Sequence, residues 1–97
     1  MSRRPTRLRD GPSSAGAQAA ILEAVGDQID NDDPPEVRQA YERLRKLGHS
    51  VGDARKLIAA CLSVEIWHTL HPQGGGYNRE RYLGALKELP QLPESLR

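Results

Sequence analysis

A chain of 97 residues with 7 prolines, 9 glycines and a 37% apolar fraction is one small domain's worth, with no room for a nucleotide-binding sheet plus a second domain. Phe is absent and only one Trp and three Tyr are present, so the core falls to Leu, Ile, Val and Ala, a composition that favours helices. The formal charge of +1 hides strong polarity: Arg3, Arg4, Arg7 and Arg9 crowd the first ten residues, six acids and no base lie between Glu23 and Glu36, and six bases lie between Arg38 and Lys56. Such polarity is expected to reflect neighbouring helices attracting each other across solvated faces, and a surface that steers a charged partner is the sharper alternative.

Residues 1–12 carry Pro5, Gly11 and Pro12 and no apolar period, which predicts a disordered, Arg-rich arm. Ser13 or Ser14 can cap a first helix over about 14–30, where Ala17, Ala20, Ile21, Ala24, Val25 and Ile29 form one stripe. Asn31, Asp32 and Asp33 make a turn, with Asp33 as the expected N-cap of a second helix over about 34–47. That helix is expected to bury Val37, Ala40, Tyr41, Leu44 and Leu47 and to stop at Gly48.

Ser50, with Asp53 three residues on, opens a third helix over about 51–71 that Pro72 ends. Its main face holds Ala54, Leu57, Ile58, Cys61 and Leu62, but Ala59, Ala60, Val64, Ile66, Trp67 and Leu70 point elsewhere, so this helix is expected in the middle of the fold. Gly74, Gly75 and Gly76 read as a flexible connection, and Asn78 can cap a fourth helix over about 79–89 with Tyr82, Leu83, Leu86 and Leu89 inward. Residues 91–97 are expected to be a short extended tail. The predicted class is all-α, a small four-helix bundle of residues 13–90 with a long central third helix.

The run Asp33-Pro34-Pro35-Glu36-Val37, followed by Tyr41, Leu44, Gly48, Asp53-Ala54, Leu62, Glu65-Ile66-Trp67, Tyr82, Leu86 and Leu89-Pro90, resembles an uncharacterised bacterial all-helical domain family over about residues 20–92. The resemblance implies a small helical domain and no activity. Relatives with a His-acidic-Ala-x-His pattern would place histidines at Gly52 and Lys56; both are missing here, so no metal role carries over.

Glu65-x-x-His68-x-x-His71 has metal-like helical spacing, yet a carboxylate-bridged centre needs two such motifs and further carboxylates. Neither metal nor cofactor is therefore expected. Glu65 falls within the apolar face of its helix and must be paired or hydrogen-bonded there, by a Tyr hydroxyl or an Arg of the fourth helix. Cys61 lies on the core face as a small hydrophobe rather than a nucleophile, and the glycine run lacks the Lys-Ser/Thr ending of a phosphate loop. Pro90-Gln91-Leu92-Pro93 fits a minimal Pro-x-x-Pro ligand, against the plainer reading of a helix stop with a packed tail.

No catalytic constellation emerges. The expected function is a non-enzymatic interaction domain that meets a protein partner, or a second copy of itself, through Trp67, Leu70 and Tyr77. The alternative is weak nucleic-acid binding through Arg3, Arg4, Arg7 and Arg9 together with Arg43, Arg45, Lys46, Arg55 and Lys56 around the turn between the second and third helices. A lone cysteine, no apolar leader after the basic start and no spanning stretch make the cytoplasm the expected compartment, with no membrane partner.

Overall fold

The computed structural model describes residues 16–96. The expected arm, the Ser13 or Ser14 cap, the start of the first helix and Arg97 lie outside them. Among the described residues four α-helices follow in order, α1 (Ala17–Asn31), α2 (Pro35–Lys46), α3 (Val51–Leu70) and α4 (Arg79–Glu88), and then a 3-10 turn (Glu94–Leu96). The fold is all-α, as the periodicity predicts. Among the described residues no helix is long and apolar enough to cross a membrane.

The helix ends follow local chemistry, with two departures from the sequence reading. Asp32 takes a left-handed φ of 55° at the end of α1, and the next backbone N–H, that of Asp33, returns to Gln28 O at 3.1 Å. Asp33 does not cap α2; Pro34 is its N-cap, extended at ψ 150°, and Pro35 is the first helical residue. A proline disfavours the helical conformation in the residue before it, so Pro35 holds Pro34 outside the helix. At the other end, Gly48 N–H donates to Arg45 O and His49 N–H to Leu44 O, with Gly48 at φ 104°, the paired bonds of a Schellman motif. That motif puts Leu47 at the C-cap, where it is 60% exposed rather than buried. Ser50 Oγ accepts from Asp53 N at 3.0 Å and Asn78 Oδ1 from Arg81 N at 3.0 Å, so α3 and α4 start on their expected caps.

The core gathers Val25 and Ile29 of α1, Val37, Ala40 and Leu44 of α2, Ala54, Ile58, Ala59 and Cys61 of α3, and Tyr82, Leu86 and Leu89 from the α4 region. Centrality is shared: α2 and α3 each pack on all three other helices. Arg43 explains part of the weight on α2, since its guanidinium donates to Leu86 O at 3.0 Å and Leu89 O at 2.8 Å at the end of α4. The tail is not simply extended, because Leu96 N–H turns back to Pro93 O at 2.9 Å and Leu92 packs against the core.

Leu62 is half-buried at the edge of this core, whereas Ile58 is completely enclosed. Ile58→Ala is therefore expected to cost about 2–5 kcal/mol and Leu62→Ala about half as much, because a cavity at the margin can collapse or admit water. Urea unfolding of the two variants checks the order; a larger loss at Leu62 would overturn its placement at the margin of the core.

Candidate functional site

The apolar residues of α3 outnumber the neighbours that can cover them, and the surplus surfaces near its C-terminal end. Trp67 is 46% exposed and lines a groove of about 490 Å³ with Ser63, Val64, His68, Ser95 and Leu96. One wall is thus the last turns of α3 and the other is the 3-10 turn of the tail. The indole is held in place: it stacks on His71 at 4.2 Å between ring centroids and meets His68 edge-on at 5.1 Å.

Both imidazoles are themselves fixed by backbone carbonyls, which can only accept. His71 Nδ1 donates to Trp67 O at 2.9 Å, and His68 Nδ1 to Gly74 O at 2.6 Å. The glycine loop is accordingly more than a tether. Gly76 N–H returns to His68 O at 3.0 Å, and Gly74 lies so close to α3 that an added Cβ would fall 2.5 Å from His68 O. Gly75 and Gly76 supply the positive φ values, 84° and 81°, that turn the chain back towards α4.

Beneath the loop, Glu65 is 2% exposed and fully engaged. Arg81 Nε donates to Oε2 at 2.7 Å and Arg81 Nη2 to Oε1 at 2.8 Å, while Asn78 N–H reaches Oε1 at 2.9 Å. Burial pushes the carboxyl's pKa up, but the Arg81 and Asn78 hydrogen bonds outweigh it and hold the group below the ordinary range. Of the two partners expected from sequence, the arginine of the fourth helix is the one present. The Glu-x-x-His spacing is thereby broken up chemically, since Glu65 serves Arg81 and each histidine serves a carbonyl. Among the described residues no three His, Cys, Asp or Glu side chains come together as metal ligands. Cys61 is 1% exposed, and burial pushes its thiol up to about 11, far from a thiolate at neutral pH.

Of the three residues expected to form one binding surface, one lines the groove. Trp67 lines the groove, while Tyr77 lies beside Tyr82, at 6.3 Å between centroids. Leu70 is 73% exposed one turn beyond Trp67 and outside the groove lining. Leu96 is one of the groove residues the sequence reading missed, since only the turn after Pro93 brings it to α3.

The basic set is also divided. Arg43 is committed to the α4 terminus, Arg45 donates to His49 O at 2.9 Å, and Arg55 is half-buried with its Nε enclosed and unbonded among the described residues. Lys46 and Lys56 remain exposed, and Arg3, Arg4, Arg7 and Arg9 lie outside the described residues. Attraction between neighbouring helices was expected across solvated faces; Glu23, Asp27, Asp30, Asp32 and Asp33 are all exposed, and the ion pairs among the described residues are Arg38–Glu42 within α2, Arg79–Glu36 between α4 and α2, and Arg81–Glu65 between α4 and α3. No family model matches the chain, nor does any curated protein or solved structure.

Proposed function

We propose that this chain is a non-enzymatic, cytoplasmic protein-interaction domain that binds through the groove and indole at Trp67. The observation that carries the reading is the rigid presentation of a large aromatic, 46% exposed in a groove that Val64 and Leu96 line with apolar surface. An indole already stacked on His71 loses little further freedom on binding, and buried Trp side chains dominate the energetics of protein interfaces. The groups with reactive potential support the same reading: Glu65 is spent on Arg81 and Cys61 is sealed in the core. Affinity capture with the full chain is expected to retain a partner that Trp67→Ala loses and Gln39→Ala, on the exposed side of α2, keeps. Equal capture by both variants would remove the Trp67 face from consideration.

Nucleic-acid binding is a second reading, favoured by the four arginines of the first ten residues together with exposed Lys46 and Lys56. It makes a separate prediction. Oligonucleotide anisotropy should then show affinity falling steeply with salt, and deletion of residues 1–12 should flatten the slope because fewer counterions are released. Negligible binding near physiological salt is the outcome expected for a protein-interaction domain.

A further inference from the structure

Lys56, Ala60, Ser63, Trp67 and Leu70 recur along α3 at steps of four, three, four and three, the spacing of a helix-pairing seam. None of the five belongs to the buried core. Ser63 lines two grooves at once. On its C-terminal side stands the Trp67 groove; on its N-terminal side Lys56, Ala59 and Ala60 face Ile21 and Leu22 of α1 across a hollow of about 310 Å³. One face therefore carries a projecting indole and an apolar hollow on opposite sides of Ser63, each about one helical turn away.

Resting on the reading of the Trp67 face as a protein contact, we infer that the occupant of this face is a second copy of the chain. The two α3 helices run antiparallel about a two-fold axis at Ser63, and Trp67 of each copy enters the Ala60 hollow of the other. A symmetric contact requires a knob and its receptor on one patch, on opposite sides of the axis, and this patch has both. Small side chains at Ala60 and Ser63 let the helices approach closely.

The charges agree with the antiparallel order. Lys56 of one copy reaches the C-terminal end of the other's α3, where the helix dipole places partial negative charge, and Leu70 lies along the lysine stem. Lys56 and Glu94, the latter next to groove-lining Ser95, are exposed and take part in none of the ion pairs among the described residues. An opposite-sign contact across the axis is thus available to both.

Sedimentation of the full chain between about 1 and about 200 µM tests this, read together with the emission of its single tryptophan. The expected result is a mass rising towards twice 10.7 kDa as Trp67 emission moves to shorter wavelength. Trp67→Ala should weaken self-association at least about tenfold, the loss of a hot-spot side chain. Ala60→Glu, which fills the hollow with a charge, should do the same while keeping helical circular dichroism. Ser63→Cys should cross-link two copies under mild oxidation, with the buried Cys61 of the unaltered chain as the silent control.

A monomer at the highest concentration overturns the second-copy assignment. So does a dimer that resists Ala60→Glu or fails to cross-link at position 63. A monomer whose Trp67 emission moves to longer wavelength only when residues 1–15 are deleted would give the face to the chain's own arm. Those failures leave the protein-contact reading to the Trp67-dependent capture, which fails on its own terms.

Discussion

Tyr82→Ala is expected to cost about 3–5 kcal/mol, enough to take a large share of the roughly 5–15 kcal/mol by which small domains are stable. Tyr82 is the largest of the fully enclosed side chains, at 1% exposure, and it ties α4 to the far side of the bundle by donating from its hydroxyl to Gln28 Oε1 at 2.8 Å. Truncation would open a cavity between helices that have no other direct side-chain hydrogen bond among the described residues. Tyr82→Phe separates the two contributions. It keeps the ring and removes only the hydroxyl, and should cost about 1 kcal/mol, the net value of one hydrogen bond. Chemical denaturation of both variants decides the matter; nearly equal losses would mean that the Gln28 bond, rather than the packed ring, holds α4 in place.

What the sequence made legible was local. The caps at Ser50 and Asn78 and the reversal at Gly48 rest on contacts three to five residues apart, so a reader of the chain can find them. Burial of Leu44 follows from the helical period. Leu47 continues that period yet is exposed, because periodicity says nothing about where the helix axis ends. Glu65 shows how far a pairing argument reaches: a carboxylate inside an apolar face demands a cation or donor, and only the packing of α4 on α3 selects Arg81.

Long-range arrangements were hidden. Arg43 looks like one more base in a basic cluster until α4 brings carbonyls from 43 and 46 residues away. The Trp67 groove needs the tail to fold back, and nothing local to Trp67 announces Leu96. Net segment charges likewise gave the composition of α1 and α2 but not which sides those charges occupy, and the exposed acids of α1 make no close pairs with α2.

Arg81→Met is expected to lower the melting midpoint at neutral pH by on the order of 10 °C, far more than Arg79→Met. The geometry separates the two arginines. Arg79 is 58% exposed and meets Glu36 only at 4.0 Å, beyond hydrogen-bond reach, so solvent around the guanidinium weakens the pair. Arg81 makes two short hydrogen bonds to a carboxylate that is 2% exposed, and its Nη2 also donates to Gly76 O at 3.1 Å, pinning the glycine loop. Removing Arg81 leaves the Glu65 carboxylate inside the protein with Asn78 N–H as its remaining donor. The pH dependence gives the sign. In the native chain the Glu65 carboxyl is held below its unfolded value of about 4.3, so its contribution is present above that pH and is lost as pH falls through the lower folded value. In Arg81→Met the partner that outweighs burial is gone, the carboxyl's pKa rises, and protonation relieves the variant. The gap between native and variant midpoints should therefore narrow steadily as the pH is lowered from 7 towards 3. Glu65→Gln, which cannot ionise, should show a gap that narrows only because the native chain loses its own contribution. Thermal melts of the three proteins across that range test the assignment, and a gap independent of pH would show that Arg81 holds the loop by packing alone.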